Sequence, residues 1–299
     1  MRSKMSYFER RLGAGLQRGF SLVELMVALL VGMMVIAALS AIFLATSVSG
    51  RHGQAMAQMT EDASTALTML RNQVSQVGYS RPKAALNAGR YAPVYAGASL
   101  RGCESGAFSD LSVDIAALTC TAGAANSPDA LAVAYEADAR NSVSTAGVPL
   151  DCLGNSLGAV GVAPDAYYLA YNRYYLATPA GAAHKSLYCR GPGSNTPQAL
   201  VENIADLQIR YGVANLAVAP VQVGFYGRPG DVGVDFSQVV SVRICVVVTS
   251  TNKVMEKDPN TNNWPTYRNC EGADTLPADG YMYRAFTSTV VLPNRLGVL

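Results

Sequence analysis

A chain of 299 residues, 50% hydrophobic and only 15% charged, with 27 Gly and 14 Pro, holds enough apolar surface for one sizeable globular body or two modest lobes, which excludes a disordered chain. Its formal charge of +2 is unevenly placed: of 23 basic and 21 acidic residues, Arg2, Lys4, Arg10, Arg11, Arg18 and Glu9 fall in residues 1–19, leaving 18 basic and 20 acidic, net −2. The remainder has no positive excess and no basic stripe with interleaved aromatics, so nucleic acid is excluded as a partner.

From Phe20 to Ala45 the only charge is Glu24. Twenty-six helical residues span about 39 Å at 1.5 Å each, ample for a bilayer core of about 30 Å. Basic residues precede this run and the next positive charge is Arg51, so the bias of Lys and Arg toward the cytoplasm puts residues 1–19 inside and the rest outside. A conventional signal peptide, cleaved near Ala45-Thr-Ser47, is the plainer reading, but its apolar segment spans only about 7 to 15 residues. The helical signal also continues. Met56, Met59, Ala63, Ala66, Leu70, Val74 and Val77 recur at spacings of three and four, while Glu61, Asp62, Thr65, Arg71, Asn72 and Gln76 occupy the other faces. Gly78 and Ser80-Arg81-Pro82 supply the stop, so one helix is expected from Phe20 to about Val77, roughly 87 Å long.

Gly19-Phe20-Ser21-Leu22-Val23-Glu24-Leu25 resembles the processing motif of type IV prepilins: a short basic leader before an apolar helix. The resemblance implies cleavage by a prepilin peptidase between Gly19 and Phe20, N-methylation of Phe20, and an assembly role for Glu24. A carboxylate in a membrane helix costs about 2.5 to 3.5 kcal/mol at the bilayer centre and less near its edge, so it calls for a partner or a route to water. In filaments of this family the implied partner is the free amine of a neighbouring subunit's first residue, here Phe20. The plainer alternative is a carboxylate snorkelling at the interface.

Beyond Val77 the period changes to two. Leu131, Val133 and Tyr135 alternate with small residues, Ile204 to Tyr211 alternates, Val240, Val242, Ile244, Val246 and Val248 line one face, and Tyr283 to Leu292 forms a last strand. Gly, Pro, Asn and Ser-rich connections fill 80–107, 141–165, 178–199, 215–236 and 251–280. The expected class is α+β and pilin-like: a long N-terminal helix, half membrane-spanning and half amphipathic, on an antiparallel sheet with long disulfide-bearing loops. The expected divisions are a cleaved leader (1–19), a transmembrane and assembly helix (20–45), an amphipathic helix (46–78) and a periplasmic β-rich domain (79–299).

Six cysteines follow the apolar run: Cys103, Cys120, Cys152, Cys189, Cys245 and Cys270. An even count in an exported chain indicates disulfides, with 15 connectivities open. The simplest is sequential, and Cys245 lies on the strand face opposite Val242, Ile244 and Val246, where a covering loop can reach it. No Cys-x-x-Cys occurs, so no zinc site is expected. His52 and His184 are the only histidines and read as solvated, and no nucleophile, phosphate-loop or zincin motif is present, so neither enzyme activity nor a cofactor is expected. Asp258-Pro-Asn-Thr-Asn262 begins like a calcium loop, but Asn263 and Asn269 stand where Gly and Glu are needed, so it reads as a turn. In the cluster Tyr167, Tyr168, Tyr171, Tyr174 and Tyr175, alternation puts Tyr167, Leu169 and Tyr171 on one face, as a core or subunit contact or as a sugar-binding platform.

Leu70-Arg-Asn-Gln-Val-Ser-Gln-Val-Gly-Tyr79, Leu200-Val-Glu-Asn-Ile-Ala-Asp-Leu-Gln-Ile-Arg-Tyr-Gly212 and Arg284-Ala-Phe-Thr-Ser-Thr-Val resemble the PilW-type minor pilins. Pro293 interrupts the final strand pattern, and the intervals around 80–165 match no known pattern. The resemblance implies a low-copy subunit of the pilus tip or initiation complex that promotes assembly, adhesion or twitching motility. Its implied partners are the prepilin peptidase, other minor pilins and the major pilin, the inner-membrane assembly platform and a large tip adhesin. Its implied location is the inner membrane, single-pass with a periplasmic body, and then the pilus tip. A minor pseudopilin of a type II secretion system and a membrane-anchored periplasmic binding or adhesive domain remain open alternatives.

Overall fold

In the computed structural model, which describes residues 19–85, 91–110, 115–163, 165–194, 196–218 and 220–296, the apolar run and the amphipathic pattern form one helix, α1 (Leu22–Ser75). The chain divides into two compact units, one ending at Arg51 and the other beginning at His52. In the first unit α1 is apolar on every face and its large side chains are exposed, and it is long and apolar enough to cross a membrane.

In the second unit α1 turns one face inward. Ala55, Met59, Ala63, Ala66, Leu70 and Val74 are buried, followed by Val77. Ala55 takes the first position and Met56 is only half-buried, its sulfur accepting from the Arg284 guanidinium. Small alanines on this stripe let the helix approach the sheets closely, and each larger member removes apolar area worth about 1.5 to 3 kcal/mol. After the last turn Gly78 adopts φ +75°, the left-handed conformation that glycine reaches without a Cβ penalty. The Asn294 side chain donates to the Ser75 and Val77 carbonyls at 3.3 and 3.5 Å, partnering acceptors left over at the helix end.

Ten strands build two antiparallel sheets: β1 (Leu100–Cys103), β2 (Ala130–Ala137), β3 (Ala159–Val160), β4 (Tyr167–Ala177), β5 (Ser186–Arg190), β6 (Gln198–Val201), β7 (Ile204–Asn215), β8 (Gln222–Gly227), β9 (Val239–Lys253) and β10 (Tyr281–Val291). The first sheet runs β6-β5-β4-β2-β1, with β3 on the start of β4; the second runs β8-β7-β9-β10. Both contribute to one core beneath the helix, in which Leu131, Val133, Tyr174, Leu207, Ile209, Tyr211, Val242, Ile244, Val246 and Val248 meet the α1 stripe. The sequence reading expects one sheet, and the alternation it relies on is silent on how strands divide between sheets. At Gly102 of β1 a Cβ would collide with the Tyr211 ring of β7, so this glycine lets the two sheets close on each other.

The connections hold more structure than their composition suggests. Strands β1, β3, β5 and β8 lie in intervals read as loops, and short hairpins pair Gly106–Phe108 with Cys120–Ala122 and Tyr267–Arg268 with Asp274–Thr275. β2 is buried on both faces. Opposite the main core, Ala130, Ala132 and Ala134 pack under Phe108, Ile115 and Leu118, with Leu169, Tyr171 and Tyr175 alongside. After β10, Pro293 opens a four-residue helix, α2 (Pro293–Leu296), at the first-turn position where its missing N–H costs nothing.

Candidate functional site

At the start of the described chain Gly19 and Phe20 precede the helix, and Phe20 is 85% exposed. Ser21 and Glu24 form a reciprocal capping box. The Glu24 backbone N–H donates to Ser21 Oγ at 3.2 Å, and the Ser21 N–H donates to Glu24 Oε2 at 3.4 Å. Glu24 therefore stands in the first turn, where the positive end of the helix dipole favours a carboxylate. Ser-x-x-Glu ahead of an apolar run is the sequence signal that could have found this arrangement. The basic leader residues Arg2, Lys4, Arg10, Arg11 and Arg18 lie outside the described residues.

In the body, Cys103 is bonded to Cys120, Cys152 to Cys189 and Cys245 to Cys270, with Cα separations of 5.5, 6.5 and 5.8 Å. The third bond pins the Tyr267–Thr275 hairpin to β9. Arg210 reinforces it through an ion pair with Glu271, which Arg228 also reaches at 3.2 Å.

Neither histidine is simply solvated, contrary to their sequence reading. The His52 Nε2 lies 2.6 Å from the Val254 carbonyl, and the His184 ring meets Tyr281 edge-on at 4.3 Å between centroids. Both are half-buried because α1 and the β4–β5 connection are packed against the body. Asp258 accepts from the Asn260 and Thr261 N–H groups at 2.7 and 3.2 Å, so its carboxylate closes the turn. The tyrosine cluster divides between the two faces of β4. Tyr174 enters the main core, while Tyr171 and Tyr175 pack on the second cluster. Next to Tyr174 the buried Asn172 donates to Gln73 Oε1 of α1 at 2.8 Å, and the Tyr135 hydroxyl donates to the same oxygen at 3.2 Å. Burial pushes the Tyr135 hydroxyl up to about 12, so it remains a donor at neutral pH.

Asp129 is one of several buried charges, with Glu136, Asp151, Arg173 and Arg190, that local patterning does not reveal. It is 2% exposed and accepts from the Ser105 and Ile209 N–H groups at 2.8 and 2.7 Å. Desolvation outweighs these two bonds and, with Asp206 and Glu104 nearby, pushes its carboxyl from 3.8 up to about 6.

Residues 15–40 match the prokaryotic N-terminal methylation motif, and this match, with the apolar helix, points to membrane anchoring. Residues 173–294 match the family described as Type IV Pilus-assembly protein W, PilW. The two matches together leave residues 41–172 uncovered, and the second runs from within β4 to within α2. Among solved structures, a type IV-like pilin from Thermus thermophilus is similar with a TM-score of 0.40 and 11% identity, over 79% of this chain and 96% of that one. Comparison with curated proteins gives no match.

Proposed function

We propose that this chain is a minor, low-copy type IV pilin: trimmed by the prepilin peptidase between Gly19 and Phe20, methylated on Phe20, held in the inner membrane with its body in the periplasm, and then built into the tip or initiation complex of a pilus. Its role is structural, in company with other minor pilins, the major pilin, the assembly platform and a tip adhesin. The observation that carries the reading is a helix start with the methylation motif whose large apolar side chains, from Phe20 to Leu44, are exposed on every face. A helix apolar all round has to be covered by lipid or by other helices, so a chain that leaves the bilayer requires a helical fibre core. The PilW match from within β4 to within α2, residues 173–294, supports the same assignment.

Glu24 gives the reading its selectivity. Within one chain its carboxylate is held by the Ser21 N–H, and removal of residues up to Gly19 would leave the Phe20 amine, next to Ser21, as a cationic partner for this carboxylate or for a neighbour's. The test is sheared, purified fibres probed for the chain by quantitative mass spectrometry, from cells carrying either the natural protein or Glu24→Ala. The natural chain is expected in fibres at far below the major subunit's abundance. The variant is expected in membranes at normal level and depleted at least tenfold from fibres. Equal incorporation of both would remove the proposed role of Glu24, and absence of the natural chain from fibres would remove the pilin assignment.

A further inference from the structure

Two adjoining cavities, of about 660 and 270 Å³, share Ser127, Pro128 and Lys185 as their common wall. The larger continues to Asp206, Gln208 and Tyr267, and the smaller to Asp129 and Tyr175. Together they form a groove bounded by the Cys245–Cys270 loop, the start of β7 and the end of β4, with Tyr267 lining the larger cavity and Tyr175 the smaller. Each tyrosine is held by a stacked neighbour: Tyr267 by Tyr283 at 5.0 Å, Tyr175 by Tyr188 at 5.9 Å, both at 19° between planes. The disulfide and the two arginines on Glu271 fix the outer wall. The size falls within the 300 to 1,000 Å³ range typical of small-molecule sites, and such sites are usually preformed.

The polar lining is underused. Among the described residues the Lys185 ammonium donates one hydrogen bond, 3.4 Å to the Ala205 carbonyl, and forms no ion pair, although its charge acts on Asp206. The Asp206 carboxylate accepts from Leu207 N–H and the Gln208 amide, which leaves acceptor capacity on its second oxygen. A simple cation would gain nothing from Lys185, and a simple anion would face Asp206 and Glu271. An apolar ligand would strip water from both charges without replacing its bonds. A ring bearing hydroxyls on its rim and C–H groups on its faces satisfies all of them: hydroxyls donate to the carboxylate and to the Gln208 amide oxygen, whose N–H groups already serve Ser127 and Asp206, and accept from the ammonium, while the C–H face lies on a tyrosine.

We propose that this groove binds a saccharide, with Tyr267 and Tyr175 as ring platforms and Asp206, Lys185 and Gln208 as hydroxyl partners. The site lies wholly within the unit beginning at His52, so the inference stands whether or not the chain enters a fibre. The test uses the full-length protein in a detergent without a sugar head group, titrated with maltotriose, chitotriose, lactose and triglycine by saturation-transfer NMR. At least one saccharide is expected to bind in the roughly millimolar range or tighter. Its affinity should fall at least tenfold in Tyr267→Ala and in the near-isosteric Asp206→Asn, and stay unchanged in Trp264→Ala, which alters the same disulfide loop outside the groove. If no saccharide binds at roughly 10 mM, if triglycine alone binds, or if binding survives both groove substitutions, the proposal is overturned.

Discussion

Ser21 and Glu24 partner each other through two hydrogen bonds in the first turn of α1, whereas Asp129 keeps two backbone partners and still sits in a site that resists its charge. The contrast is one of solvent: Glu24 is exposed in the described chain and Asp129 is 2% exposed. Asp129 therefore makes stability depend on pH in the direction opposite to a salt-bridged carboxylate. Its carboxyl is raised from 3.8 to about 6, so between those values the folded chain keeps a proton that the unfolded chain has released. Stability from this group is fully present below about pH 4 and is lost as the pH rises through about 6. The loss is on the order of 3 kcal/mol for a group with this shift. Thermal unfolding followed from pH 4 to 7 is expected to show the natural protein losing stability relative to Asp129→Asn. A difference that is flat with pH, or that grows in the other direction, would contradict this account.

Among the elements, α1 from Met59 onward is the one that periodicity describes best. Every expected position from Met59 to Val77 is fully buried, because one helical face against a core needs only local spacing. Adjacent residues test that face directly. Leu70 is 0% exposed and Met69 is 37% exposed. Leu70→Ala should cost about 2 to 5 kcal/mol in denaturant unfolding, and Met69→Ala less than about 0.5; similar costs for the two would mean that the stripe is misplaced. The strands were partly legible. β7 and β9 carry clean alternation, but β5 is five residues long, and β8 holds Gly224 and Gly227 in an interval whose glycines and prolines read as loop. The division into two sheets rests on contacts such as Gly102 against Tyr211, more than a hundred positions apart, which no local pattern encodes. The same holds for His184, which Tyr281 reaches from a distant strand.

Across the whole molecule, the part of the candidate site written in consecutive residues was open to reading and the part assembled by folding was not. Gly19, Phe20, Ser21 and Glu24 stand within six positions, and recognition of a peptide segment by a processing enzyme operates on such contiguous sequence. The groove draws Ser127, Lys185, Asp206 and Tyr267 from four separate stretches. It exists only because the Cys245–Cys270 bond folds a hairpin back over the body; the sequential pairing favoured in the sequence includes that bond, but not the four stretches it brings together. The proposed life of the protein joins the two parts: an anchor that becomes a packing spine, and a body that meets partners beyond the membrane. Its central claim is processing at the Gly19–Phe20 bond, and top-down mass spectrometry of the chain purified from its native membranes tests that most directly. The account predicts a single mature species beginning at Phe20 and carrying one added methyl group on its amine. A chain still beginning at Met1, or one cut beyond Ala45, would contradict it.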